Sequence, residues 1–506
     1  MNKRKLTLGL LAISLLMATW VGSRLWAGKT NIYTSLETFQ RVLQITRDTY
    51  VREVDLDSMV RDAMNGMLRK LDPYSMYMSP KDFESLNISM QGEFGGLGIT
   101  IAIADDWLTV ISPLEGTPAA AAGLQAGDRI VEIEGESTEG ITADEAVSKL
   151  RGKPGTDVTI SIWRNGWDEP IELTITRAII KLNAVNYVTK LTPEIGYIKF
   201  SKFSRTAREE VEEAIDSLFQ QEGVKKLILD IRGNSGGYLG EGVDVTDLFL
   251  KRDREIVQTR GRIPQSFRAY RAHEDPLFGD YPLVILADRG SASAAEILTG
   301  ALQDWERALI VGDTTFGKGS VQTIYPLADS GRLKLTTAHW YTPAGRCIDR
   351  HRAEIEGKEN ETPTLHTLGK RKRPLYAGGA IAPDIYVEIE KLSELAWRFW
   401  IKRTFFAYAV DYLSANPEIA SDFSVTDEIL AGLVREARKR EVEFTDAEFE
   451  EAKKQLRYYL RLEIASQKWG EEGRYQAILA EDPVVKKALE LLSEAESTAE
   501  LLGYAQ

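Results

Sequence analysis

The chain has one cysteine, Cys347, among 506 residues. A lone thiol excludes intrachain disulfides and any zinc site built from several cysteines. Histidine is scarce as well: His273, His339, His351 and His366 are the only four. All of them follow Gly233-Asn234-Ser235-Gly236-Gly237, a stretch that looks like a serine nucleophile motif. A trypsin-type site needs a histidine that precedes its serine, so that chemistry is excluded for Ser235. A basic surplus is absent too. With a net charge of −13, the chain lacks the clustered Lys and Arg that phosphate contacts require, which argues against a nucleic-acid partner. No internal repeat or low-complexity tract interrupts it.

Only one long apolar run is present, Leu6 to Val21, preceded by Lys3-Arg4-Lys5 and followed by Arg24. A basic segment before such a run reads as an export signal. Leu25-Trp26-Ala27 puts leucine where cleavage wants a small residue. The expectation is an uncleaved signal anchor, with the first residues cytoplasmic and the rest on the periplasmic or extracytoplasmic face of the membrane.

At this length two to four domains are expected. Helical periodicity runs from Ser35 to Leu71 and closes at Asp72-Pro73, a small helical cap or dimerisation arm. From Gly92 to Ala178 short strands take over, with a helix at Thr142–Leu150. This region resembles a PDZ domain: Gly95-Gly96-Leu97-Gly98-Ile99 matches the carboxylate-binding loop, and Ala122-Gly123-Leu124 with Gly127-Asp128-Arg129-Ile130 matches the middle. Such a loop receives a C-terminal carboxylate on backbone N–H groups while the peptide adds a strand to the sheet edge. Strands and helices then alternate to about residue 390, which reads as a layered α/β core. Beyond it the chain is charged and helical, with amphipathic runs at Leu392–Leu413 and Asp446–Ala465, a bundle or a set of oligomer contacts.

The chemistry centres on Gly290-Ser291-Ala292-Ser293-Ala294-Ala295-Glu296 and on Lys318 in Phe316-Gly317-Lys318-Gly319. A hydroxyl nucleophile can be activated by a lysine kept neutral by burial. Ser293 precedes an apolar helical run, so its hydroxyl is expected at a helix N-terminus, where the dipole favours developing negative charge. The glycines after Asn234 can free N–H groups for an oxyanion, and Ala294 can add another. Gln322 is the expected orienter of the Lys318 amine, with Phe316 as desolvating neighbour. Asp304, eleven residues after Ser293, is a weaker candidate.

Four blocks carry a closer resemblance: Asp230-Ile231-Arg232-Gly233-Asn234-Ser235-Gly236-Gly237, the Ser293 segment, Gly317-Lys318-Gly319-Ser320-Val321-Gln322, and Tyr341-Thr342-Pro343-Ala344-Gly345-Arg346. In this order behind a PDZ-like region they resemble the carboxyl-terminal processing, or tail-specific, peptidases. The resemblance implies a multidomain α+β protein, with a crotonase-like α/β core, an inserted PDZ domain, an N-terminal helical segment and a C-terminal helical extension. It implies Ser293 as nucleophile, Lys318 as base, Gln322 as orienter and Asp304 as an acidic partner. Gly236, Gly237 and Ala294 would form the anion hole, and Gly96, Leu97, Gly98 and Ile99 would bind the substrate tail. Arg151 would couple peptide binding to site assembly. No cofactor or metal is expected. The expected partners are protein substrates with apolar C-terminal tails, a second copy or higher oligomer, an adaptor, and the membrane. The expected domains are 1–28 signal or anchor, 29–85 helical segment, 86–178 PDZ, 179–390 peptidase core and 391–506 helical extension.

Two other readings compete. Gly312-Asp313-Thr314-Thr315-Phe316-Gly317-Lys318 nearly fits a phosphate-binding loop, but Gly319 stands where a Ser or Thr must hold magnesium. A non-catalytic PDZ scaffold on a degenerate core would show a damaged site, and nucleophile, base and glycine loop are all intact.

Overall fold

The computed structural model describes residues 32–276, 279–352, 365–376 and 378–505. The apolar run expected to anchor the chain lies outside them. Among the described residues no helix is long and apolar enough to cross a membrane.

Helix α1 (Ile32–Thr49) buries none of its residues. Helix α2 (Leu56–Leu68) starts at Asp55, whose side chain accepts the Ser58 N–H. The single periodic run expected from Ser35 to Leu71 is therefore two helices. Strand β1 (Met76–Met78) pairs antiparallel with Arg332–Lys334, and Tyr77 Oη donates to Asp329 Oδ2 at 2.7 Å. Residues 32–78 and 325–335 form one compact unit, and the remaining described residues a second.

The second unit opens with α3 (Pro80–Gln91), started by a reciprocal Ser79–Asp82 capping box and stopped by Gly92 at φ 80°. The expected boundary at 85/86 falls inside this helix. After β2 (Glu93–Gly96) comes the PDZ-like sheet: β3 (Ile99–Ala104), β4 (Trp107–Pro113), α4 (Pro118–Ala121), β5 (Arg129–Ile133), β6 (Glu136–Ser137), α5 (Ala143–Leu150), β7 (Asp157–Trp163) and β8 (Ile171–Thr176). The strand order is β3-β4-β5-β7-β8, with β6 on β5. Alternation along β7 sends Val158, Ile160 and Ile162 into a core shared with Leu108, Ile130 and Ala146. Strand β9 (Ala178–Lys181) pairs with β2, so the domain is entered and left through one two-stranded ribbon.

The core follows in the order β10 (Val185–Lys190), β11 (Ile195–Phe200), α6 (Ala207–Asp216), β12 (Lys226–Asp230), α7 (Leu239–Asp247), β13 (Glu255–Gly261), β14 (Arg268–Arg271), β15 (Leu283–Ala287), α8 (Ala294–Asp304), β16 (Leu309–Gly312), β17 (Ser320–Pro326) and β18 (Arg332–Tyr341). Three two-residue strands come next: β19 (Leu365–His366), β20 (Pro374–Leu375) and β21 (Ile385–Tyr386). The main sheet has the order β10-β11-β12-β15-β16-β21 and is parallel from β11 onward. Strands β12 and β15 are buried along their whole length, as parallel strands covered on both faces must be. One face packs on α6, α7 and α8 through Ile198, Leu229, Ile285, Val211, Val243 and Leu298.

The last helices are α9 (Glu394–Ile401), α10 (Thr404–Ala415), α11 (Asp427–Lys439), α12 (Asp446–Glu481), α13 (Pro483–Glu494) and α14 (Thr498–Leu501). The run expected from Leu392 to Leu413 is split at Arg403, φ 51°. Helix α12 extends well past the expected Ala465 and bends at Trp469 and Gly470, where the backbone leaves helical geometry. Helices α9 to α12 share a core of their own around Phe399, Phe405, Leu433 and Leu456.

The end of the chain does something the sequence pattern did not announce. Val484, Val485, Ala488, Leu491 and Leu492 of α13 cover Tyr197, Ile228, Val284 and Leu286 on the second face of the main sheet. Each large apolar side chain buried there contributes about 1.5–3 kcal/mol, and four of them approach the ~5–15 kcal/mol by which a domain is stable at all. A chain ending at residue 481 is therefore expected to be insoluble or lack cooperative unfolding in calorimetry. A soluble truncated protein with an unchanged transition would contradict this packing role.

Candidate active site

Strand β12 ends at Asp230, and the loop after it carries the glycines. Asp230 is fully buried. It accepts from Tyr197 Oη at 2.7 Å, from Lys199 Nζ at 3.2 Å and from Arg232, whose Nη2 lies 2.6 Å from Oδ2. Burial opposes its charge, but the Arg232 and Lys199 cations outweigh it and hold the carboxyl well below its ordinary range. Arg232 also donates from Nη1 to Asp482 Oδ2 at 2.8 Å. Asp482 in turn caps α13 by accepting the Val484 and Val485 N–H groups. The glycine loop is thus tied to the helix that covers the sheet, a link between residues 250 positions apart with no local sequence signal.

The loop before α8 is stitched to the glycine loop. Ala292 N–H donates to the Asn234 carbonyl at 2.9 Å, Gly233 N–H to Asp288 Oδ1 at 2.9 Å, and Ser291 Oγ to the Ile231 carbonyl at 2.9 Å. Ser293 is held at φ 57°, ψ −115°, a conformation that costs a non-glycine residue about 1–3 kcal/mol and is usually found where function over-determines the backbone. It stands half-exposed directly before α8, as expected. Gly236, at φ 92°, lies against it: a Cβ there would come 2.8 Å from Ser293 Cβ and 2.9 Å from the Ala294 nitrogen. No larger residue fits.

The three expected anion-hole residues are brought together, but they do not offer equal donors. Gly236 N–H is already given to Asn234 Oδ1 at 2.9 Å. The N–H groups of Gly237 and Ala294 have no acceptor among the described residues. Gly236 contributes clearance, and the other two contribute free donors.

Glu296 joins the halves of the site. It is fully buried in the first turn of α8. Oε1 accepts Thr315 Oγ1 at 2.6 Å and Gly317 N–H at 2.7 Å, while Oε2 accepts Ser293 N–H at 2.8 Å and Lys318 N–H at 2.9 Å. One oxygen receives both backbone nitrogens, so the Ser293 and Lys318 main chains lie within two hydrogen-bond lengths of each other. Burial raises this carboxyl above its ordinary value even against four donors. In the sequence, a glutamate three residues after a serine signals only a helix start. Its reach to residues 315–318 is a long-range contact.

Of the remaining candidates, Asp304 and Phe316 depart from expectation. Asp304 sits at the far end of α8, eleven residues and, at 1.5 Å per residue, about 16 Å from Ser293. It is fully buried. Oδ1 pairs with Arg346 Nη2 at 2.5 Å and Oδ2 accepts Ala344 N–H at 2.8 Å, so it anchors the Thr342–Arg346 turn and does not reach the nucleophile. Gln322 lies on β17 with its amide nitrogen donating to Ser320 Oγ at 3.0 Å and Thr336 Oγ1 at 3.3 Å, which leaves its oxygen as the accepting end. Phe316, the expected desolvating neighbour, is 45% exposed, and Lys318 is itself only partly buried. Ser235 is exposed at its loop tip.

In the PDZ-like domain the Leu97 and Gly98 carbonyls accept from Ala119 and Leu114 N–H groups, at 2.9 and 2.8 Å. The N–H groups of Leu97 and Gly98 have no acceptor among the described residues. Gly98, φ 79°, packs on Thr117, and a Cβ would lie 2.3 Å from that residue. Ile99 starts β3, the outermost strand, with α5 alongside. Arg151 follows α5 directly. Its guanidinium stacks on the Phe94 ring at 4.6 Å, and Phe94 belongs to the connecting ribbon.

A strained serine at a helix N-terminus stands beside two N–H donors and a lysine strapped to the same carboxylate, an arrangement suited to serine-type acyl transfer. The model of peptidase family S41 matches residues 194–357, the PDZ domain model residues 85–163, and the model of the activating protease CtpB N-terminal domain residues 23–82. A family of unknown function matches residues 402–470. A carboxy-terminal-processing protease of Bartonella bacilliformis is 42% identical over 321 residues, covering 63% of this chain and 73% of that protein. The carboxy-terminal processing protease CtpB of Bacillus subtilis is 35% identical over 327 residues, covering 64% and 67%. A solved photosystem II D1 C-terminal processing protease is 28% identical and covers 68% of this chain and 86% of its own, with a TM-score of 0.39. The chain belongs to the carboxy-terminal-processing proteases of peptidase family S41, serine-type enzymes that carry a PDZ domain.

Removing the Glu296 charge is expected to loosen the junction without removing a reacting group. Glu296→Gln turns an NH2 toward backbone donors, and displacements near 1 Å cost on the order of 100-fold in rate. Steady-state kinetics should show kcat falling by that order with KM little changed. An unaltered kcat would contradict the bracing role.

Proposed function

We propose that Ser293 and Lys318 carry out the hydrolysis and that the loop Gly96–Ile99 selects substrates by their free C-terminus. Ser293 Oγ attacks the scissile carbonyl while its proton passes to the neutral Lys318 amine. The developing oxyanion takes the Gly237 and Ala294 N–H groups. Lys318 then gives its proton to the departing amine, and water, deprotonated by the same base, hydrolyses the ester on Ser293. The Gln322 amide oxygen orients the amine. The observation that carries this reading is the shared Glu296 oxygen, which fastens the backbones of Ser293 and Lys318 together.

The tail's carboxylate sits on the Leu97 and Gly98 N–H groups, its side chains run between β3 and α5, and apolar residues suit that groove. Arg151 stacks on the ribbon that joins the PDZ domain to the core, which makes it the coupling element between peptide binding and site assembly. One assay tests both statements. An amidated tail should be cleaved several-fold more slowly than a free one through a raised KM. Arg151→Ala should lower kcat while tail affinity stays near normal. Equal rates for free and amidated tails would remove the PDZ domain as reader, and an unaffected Arg151→Ala enzyme would remove the coupling.

The basic residues and apolar run at Lys3–Val21 tether the enzyme to the membrane with residues from about 29 onward on the extracytoplasmic side, and fractionation with protease protection tests that orientation. Helix α1 exposes Leu36, Phe39, Val42 and Ile45, the side chains a second copy would cover. Sedimentation of wild type and a Leu36→Glu/Phe39→Glu variant should separate a dimer from a monomer. An adaptor would be a further partner, detectable as a companion on affinity purification of the tethered enzyme. With the first boundary moved to the start of α3, the working domain limits are 29–79, 80–178, 179–390 and 391–506.

A further inference from the structure

Beyond the carboxylate loop, the groove along β3 leads somewhere specific. Strand β3 runs from Ile99 to Ala104, and its outer edge pairs with no strand among the described residues. A tail added to that edge in antiparallel sense starts with its C-terminal residue opposite Ile99 and climbs one residue per step. Its fifth residue, counted back from the C-terminus, stands opposite Ile103, and its sixth opposite Ala104. There β3 turns away at Asp105 and Asp106, both at positive φ, while an extended peptide continues straight on.

What lies ahead is a cavity of about 510 Å³ between the end of β3 and the helical extension. Its far walls are the junction of α9 and α10, with Lys402 and Arg403, and the end of α11, with Glu436, Lys439 and Arg440. The two carboxylates are already used. Glu436 pairs with Arg440 at 2.9 Å and with Lys439 at 3.2 Å, and Asp105 pairs with Arg440 at 3.4 Å and with Arg129 at 3.6 Å. Lys402 and Arg403 pair with no carboxylate among the described residues. The cavity therefore carries a positive surplus. Its walls are also held in register, since Asn165 Nδ2 donates to Asp411 Oδ1 at 3.2 Å and Gly127 packs so closely on Val410 that a Cβ would come within 2.8 Å.

We propose that this cavity is an extended specificity site for the substrate, taking acidic side chains at the fifth to seventh positions counted back from the C-terminus of the tail. The proposal rests on the PDZ domain being the tail reader. It gives the helical extension a role in choosing substrates: the terminal residues are read by the PDZ domain, and the residues before them by Lys402 and Arg403.

The test measures affinity of the full chain, as Ser293→Ala to prevent cutting, for ten-residue fluorescent peptides sharing one apolar four-residue end. Three peptides carry Asp, Ser or Lys at the fifth to seventh positions from the C-terminus, and a fourth is the Asp peptide with an amidated end. The Asp peptide should bind about 5- to 10-fold more tightly than the Lys peptide at low salt, less so at high salt. Lys402→Glu, a change at an exposed side chain, should narrow or reverse that ranking. Equal affinity of the Asp, Ser and Lys peptides, with amidation still weakening binding, would overturn the extended site and leave the tail reader standing. If amidation itself changes nothing, the tail reader falls and this site with it.

Discussion

Ser293→Ala is expected to lose peptide cleavage by a factor on the order of 10⁴ or more, the scale on which serine peptidases respond to loss of their nucleophile. The fold should be untouched, because Ser293 is half-exposed and the cap of α8 rests on backbone and on Glu296. Two neighbouring serines provide the controls. Ser235 is exposed and is not among the partners of Glu296, so Ser235→Ala should be near wild type. Ser291 is buried and donates to the Ile231 carbonyl, so Ser291→Ala should lower stability by about 1 kcal/mol while catalysis persists. A dead Ser235→Ala enzyme beside an active Ser293→Ala enzyme would move the nucleophile to the wrong loop.

Replacement of Lys318 by arginine should be as damaging as replacement by alanine, on the order of 10²–10⁴-fold in kcat. The guanidinium keeps the charge and more than the length, but it cannot give up its proton to become a base. Any role for Lys318 in binding through charge alone would leave the arginine enzyme active. The sign of the pH dependence follows from the same chemistry. Only the neutral amine accepts the Ser293 proton, so the wild-type rate should fall toward acid pH, and residual activity in Lys318→Ala should lack that acid limb. An arginine variant with near-normal kcat would end the general-base assignment.

The features legible in the sequence were those set by local chemistry. Alternation marked β7 and β8, glycine spacing marked the carboxylate loop, and small residues before an apolar helix marked Ser293. The apparatus was legible as a set of segments, whereas their junctions were not. Glu296 reads locally as a helix-start residue, and its bonds to Thr315, Gly317 and Lys318 depend on β15 and β16 lying side by side. The division of labour between Gly236 and Gly237 turns on where the Asn234 side chain points. Asp304 shows the opposite case: the helix rise alone places it a helix length from Ser293, while its bonds to Arg346 and Ala344 are long-range. The second face of the main sheet is filled from residues 484–502, too far along the chain for any periodicity to reveal.

The central claim is that an acyl group forms on Ser293 and is resolved with the help of Lys318. The most direct measurement is rapid-quench mass spectrometry of the wild-type enzyme turning over an activated ester of a short peptide, followed by tryptic mapping. The account predicts a transient mass gain equal to the acyl group on fragment 290–307, localised by fragmentation to Ser293 and absent from Ser291. It predicts slower formation and slower loss of that adduct in Lys318→Ala. An adduct on fragment 233–251, which holds Ser235, or full turnover with no adduct on Ser293, would contradict it.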